Sequence, residues 1–174
     1  ISASGGAVLT VATGDASVGS DVLANINMVY GSGHDDTITG SSALIFEHFE
    51  GAEGNDSLDG GAITDTLNQD NSNRLSYQNA GDSVVVDLAS GIATGGAGID
   101  TLANFNQLRG SGFNDTLLGS NRTDISELFE GRNGNDSIDG RGGFDVARYD
   151  NASGAVTASL VSGTASGSGV GSDT

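Results

Sequence analysis

The stretch Gly131-Arg-Asn-Gly-Asn-Asp-Ser-Ile-Asp139, followed at once by Gly140-Arg-Gly-Gly-Phe-Asp-Val-Ala-Arg148, constrains the fold more than any other. Two nine-residue units stand end to end, each with glycine first and fourth, aspartate sixth and an apolar residue eighth. Glycines let the first six residues take positive φ and turn tightly. The last three then form a short strand whose middle side chain points into a core. The sixth-position carboxylate lies where the turn ends, facing its counterpart in any stacked copy.

A longer repeat contains the short one. Residues 21–38 mirror 100–117, residues 49–60 mirror 129–140, and Tyr77 to Ala80 with Val84 to Leu88 mirror Tyr149 to Ala152 with Val156 to Leu160. A period of about 80 residues running through nearly the whole chain is the signature of a solenoid or array. It divides residues 1–174 into two related copies, about 8–88 and 89–174, of one continuous domain. Val84-Val-Val-Asp-Leu88 shows the period-two alternation of a strand, and no stretch shows helical periodicity.

The aspartates phase the turns. Asp21, Asp36, Asp56, Asp82, Asp100, Asp115 and Asp136 recur about every eighteen residues, with Leu23, Ile38, Leu58, Val84, Leu102, Leu117 and Ile138 two places on. Eighteen is two nonapeptides, one full coil, so these aspartates read as one column along one edge. Asp65 and Asp145 are the best matches for the opposite edge, although residues 69–76 form an insertion that leaves Asp65 and Asn73 both open as the counterpart of Asp145. Segments 40–50 and 119–130 keep Phe49 and Phe129 pointing inward but lose the glycines, and are expected to bind no metal.

The nonapeptide resembles that of the RTX, or haemolysin-type calcium-binding, family. The resemblance implies an all-β, right-handed parallel β-roll (a β-solenoid) stabilised by calcium in its glycine-rich turns. It also implies ligand sets. Asp136 with the carbonyls of Arg132 and Gly134 would face one ion, and Gly131, Asn133 and Asn135 its neighbour. The same reading covers Gly31, Gly33, Asp35 and Asp36; Gly51, Gly54, Asn55 and Asp56; Gly110, Gly112, Asn114 and Asp115. It extends to Gly95, Gly98 and Asp100, whose turn fits the pattern fully, to Gly140, Gly142 and Asp145, and to Asp65 and Asp82. About nine coils at one strand spacing each would make a rod of roughly 45 Å.

Composition supports cations as partners. A formal charge of −17 argues against nucleic acid and anionic membranes. With 29 glycines and only 36% hydrophobic residues, the chain approaches the disordered class unless something neutralises it. It has no cysteine, hence no disulfide staple, and no apolar run long enough to span a membrane. The Ile1 start and the Ser-Gly-rich end read as a piece of something longer. Ordinary Asx turns capping strands would explain one Gly-Asn-Asp. They would not explain several in phase, because aspartates stacked about 4.8 Å apart repel one another.

His34 and His48 have no partner in sequence for zinc, the tyrosines and phenylalanines read as packing, and the arginines as scattered counter-charges. No enzyme activity is expected, since a column on a glycine-rich edge offers no pocket. The function expected is that of a calcium-binding structural module of a secreted bacterial protein, an adhesin or surface repeat protein, delivered by the type I route and folding outside the cell. Any glycan would be bound through other parts of the parent. The alternative is the non-catalytic module of a secreted protease, lipase or polysaccharide epimerase.

Overall fold

The computed structural model describes residues 8–10, 23–65 and 71–174. Asp21 and the start of the insertion at 69–76 lie outside the described residues. After β1 (Val8–Thr10), the chain forms β2 (Met28–Tyr30), β3 (Thr37–Thr39), β4 (Glu47–Glu50), β5 (Ser57–Asp59) and β6 (Asn73–Ser76). Next come β7 (Val84–Asp87), β8 (Ile92–Gly95) and β9 (Gly98–Ala103). The same order then recurs: β10 (Gln107–Arg109), β11 (Thr116–Leu118), β12 (Ser126–Glu130), β13 (Ser137–Asp139), β14 (Phe144–Ala147), β15 (Val156–Ser159), β16 (Thr164–Gly167) and β17 (Gly171–Asp173). The described residues are all β and turn.

From β2 to β7 and from β9 to β14 successive strands alternate between two sheets, while β15, β16 and β17 form a third, three-stranded sheet. One runs β14-β12-β10-β6-β4-β2 with every neighbouring pair parallel. The other runs β1-β3-β5-β9-β8-β7-β11-β13 and is mixed. The core lies between them. Inward residues fill it: Val29, Phe49, Leu75, Leu108 and Phe129 from the parallel sheet, and Ile38, Leu58, Val84, Val86 and Leu117 from the mixed one. Phe129 is buried and Ile138 packs against the same cluster, as their shared eighth position requires. Phe105 meets Phe49 edge-on at 5.8 Å between centroids. The layer is thin, which suits a chain with few large apolar residues.

The expected stack of nine parallel coils is interrupted. Residues 84–103 form a meander in which β7, β8 and β9 are antiparallel neighbours, so sheet order departs from chain order. Its reversals have local causes. Asp87 Oδ1 accepts the N–H of Ala89 and of Ser90, and Gly91 (φ 67°) completes a tight turn. Gly95 and Gly98 (φ 125° and 111°) make the second. β15, β16 and β17 repeat the meander, with Gly163 (φ 64°) in the place of Gly91. The Ser-Gly-rich end therefore folds into strands joined by turns.

Candidate calcium-binding turns

Six aspartates form two short buried columns along the edge of the mixed sheet. Asp36, Asp56 and Asp100 make one, and Asp115, Asp136 and Asp173 the other, each at most 6% exposed. Within a column each backbone N–H donates to the next carboxylate: Asp36 to Asp56 and Asp56 to Asp100, both at 2.9 Å. Asp115 donates to Asp136 at 2.9 Å and Asp136 to Asp173 at 3.0 Å. The fifth-position residues run a second ladder in the opposite sense. Asp35 Oδ1 accepts from the Asn55 N–H and Asn55 Oδ1 from Ile99, as Asn114 accepts from Asn135 and Asn135 from Ser172. Adjacent turns are thereby clasped both ways.

The first glycine of each turn makes room for its own aspartate. A Cβ on Gly51 would lie 1.9 Å from Asp56 Oδ2, one on Gly131 2.1 Å from Asp136 Oδ2, and one on Gly110 2.3 Å from Asp115 Oδ2. Gly54 (φ 129°) and Gly134 (φ 127°) pass close to the preceding turn, at His34 and Phe113. Gly33 and Gly112 face open space, so their backbones impose no such demand.

The turns fall into two kinds. In Gly31–Asp36 and Gly110–Asp115 the second residue is serine, and it closes on the aspartate. Ser111 N–H donates to Asp115 Oδ2 at 2.6 Å and its hydroxyl to Oδ1 at 2.7 Å, while Ser32 N–H donates to Asp36 Oδ2 at 2.5 Å. In Gly51–Asp56 and Gly131–Asp136 the second residue is Ala52 or Arg132, both at φ 77°. There Oδ2 of Asp56 and of Asp136 is buried without a hydrogen-bond partner. Burial pushes the Asp56 carboxyl up to about 6 and the Asp136 carboxyl up to about 7, with neighbouring column aspartates adding to the rise. Burial also raises Asp100, Asp115 and Asp173. The Tyr77 hydroxyl donates to Asp100 Oδ2 at 2.8 Å. Tyr149 takes the same place beside Asp173, its phenol pushed up to about 12 by burial and then by that charge.

Several expected residues sit elsewhere. Asp82 is exposed, because the ladder pairs Val86 with Leu117 and so puts Val84, two residues past Asp82, on the column row. The Val84 N–H donates to Asp115 Oδ1. Gly95 and Gly98 belong to the β8–β9 hairpin rather than to a coil turn. Gly98 is still needed, since a Cβ there would lie 1.9 Å from the Gly54 carbonyl. On the opposite edge Asn73, not Asp65, stands in the row of Asp145. That row runs Glu47, Asn73, Asn106, Glu127, Asp145. Asn73 donates to the carbonyls of Gly61 and Asn104, and Ser41 and Ser120 donate their N–H groups to Glu47 and Glu127. Asp145 Oδ1 is unpartnered, burial raises its carboxyl, and a Cβ on Gly140 would crowd its Oδ2. Gly142 makes only ordinary contacts. Asp173 was hidden in sequence by glycine-serine composition, yet Gly171-Ser-Asp-Thr174 repeats Gly98-Ile-Asp-Thr101.

Among the described residues no three His, Cys, Asp or Glu side chains converge to hold a metal. The turns do not call for such a cluster, because calcium accepts backbone carbonyls beside carboxylates. A buried carboxylate oxygen without a partner, raised in pKa and held over a glycine, must take a proton or a cation. The residues fit the ion at Asp56 and Asp136, and on the other edge at Asp145. Bound calcium would supply charge neutralisation there, with the carbonyls of the same turns completing its shell.

The RTX calcium-binding nonapeptide repeat matches the chain in four copies, over residues 25–42, 47–68 and 126–147. No curated protein and no solved structure matches it. Among the described residues no helix is long and apolar enough to cross a membrane. Within those residues the chain carries RTX calcium-binding nonapeptide repeats.

Proposed function

We propose that the chain is a non-catalytic structural module of a secreted bacterial protein, built as a right-handed β-roll that folds and stiffens when calcium enters its turns. The observation that carries this is the unpartnered, buried Oδ2 of Asp56 and Asp136, in equivalent turns of the two copies. Column aspartates on adjacent strands repel unless neutralised, and calcium is the hard cation that a carbonyl-rich turn suits. Extracellular modules bind calcium at about 10⁻⁴–10⁻³ M, so such a site fills outside a cell and empties within it. That favours export of an unfolded chain by the type I route and folding on arrival. An adhesin or surface repeat protein is the parent we favour, because eight strands recurring in one order suit an array that builds length.

Calorimetric titration of the full chain tests this. Calcium is expected to bind at one or more sites per copy with magnesium substituting poorly, since magnesium demands a tight octahedral shell. Absence of calcium binding up to about 10 mM, above the usual range for extracellular modules, would contradict the proposal.

A further inference from the structure

The two copies differ at one place in a way that packing does not require. A cleft of about 190 Å³ opens beside β10, β12 and β14, between Arg109, Arg132, Arg148, Asn133, Tyr149 and Asn151. Three of the six basic residues of a chain with charge −17 meet there. In the first copy the equivalent residues are Tyr30, Ala52 and Ser76, so the three arginines distinguish the second copy from the first. The frame around them is shared. Glu130 accepts from the Asn151 amide at 2.9 Å, just as Glu50 accepts from Asn79 at 2.7 Å, and Tyr149 occupies the position of Tyr77. Arg132 holds the same left-handed backbone as Ala52, so the turn itself does not ask for arginine.

The guanidiniums are positioned but not used up. Arg109 Nε donates to Glu130 at 2.9 Å and its Nη1 to the Gln78 side chain at 3.0 Å. Arg132 Nη1 donates to the Gln78 carbonyl at 2.9 Å, and Arg148 pairs with Asp150. None of the three spends all five of its N–H donors on these partners. Glu130 and Asp150 pair with Arg109 and Arg148, whereas the Arg132 guanidinium donates to a carbonyl rather than to a carboxylate. A planar fork with donors to spare is the group that recognises a carboxylate in two-point fashion. The neutral amides of Asn133 and Asn151 beside it suit hydroxyl groups. The cleft is smaller than the roughly 300–1,000 Å³ of drug-sized sites, which restricts it to a single ring.

From this we infer that the second copy carries a binding site for the carboxylate-bearing ring of an acidic sugar, absent from the first. The inference rests on the calcium reading only in that the turn Gly131–Asp136 supplies Arg132 and Asn133.

The test uses the full chain in calcium, shown to be folded by circular dichroism, with amide and arginine side-chain NMR shifts followed as sodium glucuronate, glucose or inorganic phosphate is added. Saturable shifts at Arg132, Asn133 and Asn151 are expected with glucuronate and none with glucose. Restoring the first copy's residues, Arg132→Ala with Arg148→Ser, should weaken glucuronate at least tenfold, and Arg132→Lys, which keeps the charge but loses the fork, severalfold. No saturable response to glucuronate, or undiminished binding by folded variants, would overturn the inference. Phosphate binding as tightly as glucuronate would overturn the assignment to a sugar. Loss of the calcium-dependent fold would show in the dichroism before any ligand is added, separately from these outcomes.

Discussion

The turns Gly110–Asp115 and Gly131–Asp136 lie side by side on parallel strands and share a sixth-position aspartate, yet they solve its burial differently. Ser111 gives Asp115 two hydrogen bonds. Arg132, with its backbone at φ 77°, gives Asp136 none, and Asp136 Oδ2 has no partner. The first copy repeats the contrast in the same order, Ser32 against Ala52. A single residue type at the second position thus separates a turn closed by protein donors from one left open to a proton or a cation. Calcium dependence should therefore be concentrated in the open turns, with closed turns as their scaffolds.

The largest effect should come from the layer that both kinds of turn stand on. Phe49 and Phe129 are equivalent and fully buried, so Phe→Ala at either should cost about 3–5 kcal/mol in calcium, read by urea unfolding. Costs within about 0.5 kcal/mol, the range of surface sites, would mean that the two sheets do not share this core.

Asp136→Ala comes next and divides the turns directly. It should raise the calcium midpoint by about tenfold or more, equivalent to about 1.4 kcal/mol, with Asp115→Ala moving it less. Asp124→Ala should leave it unchanged, because Asp124 is exposed and paired with Arg122 at 2.7 Å. Calorimetry that ranks the three as equal would erase the distinction between open and closed turns.

Acidity offers a third test. In chelator, the folded chain holds protons on Asp56 and Asp136 up to about pH 6 and 7, whereas the unfolded chain sheds them near the usual carboxylate value of 3.8. The folded state binds more protons across that window, so its stability should fall as pH rises from about 4 to 7. Calcium affinity should rise over the same window, because binding releases those protons. Asp56→Asn with Asp136→Asn should flatten both profiles. Profiles left unchanged by that pair would place the titration elsewhere.

Ser111→Ala is the mildest. Losing one hydroxyl donor to Asp115 should cost about 1–2 kcal/mol in thermal unfolding. It should also make the Gly110–Asp115 turn more responsive to calcium. No gain in response would show that the backbone N–H alone keeps this turn closed.

Much of this was legible in the sequence, for reasons that can be located. The inward residues Ile38, Leu58, Leu117 and Phe129 and the burial of Asp36, Asp56, Asp100, Asp115 and Asp136 follow from the spacing within each nonapeptide, but the single column expected of these aspartates is split in two, because β8 and β7 stand between β9 and β11. The meander was not legible. Val84 to Asp87 alternates like any strand, and alternation does not say whether its neighbour runs parallel or antiparallel. Gly95-Gly-Ala-Gly98 has the glycines of a coil turn, but its hairpin depends on positive φ at Gly95 and Gly98, which composition cannot distinguish. That reversal slid the phasing of Asp82 by two residues and hid Asp173. The opposite edge was obscured because Asn73, Asn106, Glu47 and Glu127 fill a row where the nonapeptide pattern would place aspartates. Position in a ladder, not residue type, defines such a row.

The central claim is that calcium makes this chain fold. Each site held at a hundred times its dissociation constant adds about 2.7 kcal/mol to the folded state, so two or more such sites rival a good part of an ordinary domain's stability of about 5–15 kcal/mol. Far-ultraviolet circular dichroism of the 174-residue chain, titrated with calcium at pH 7.4 and reversed with EDTA, measures this directly. A cooperative change from a disordered to a β spectrum, undone by chelator and poorly reproduced by magnesium, is the predicted result. A full β spectrum and a sharp thermal melt in excess EDTA would contradict it.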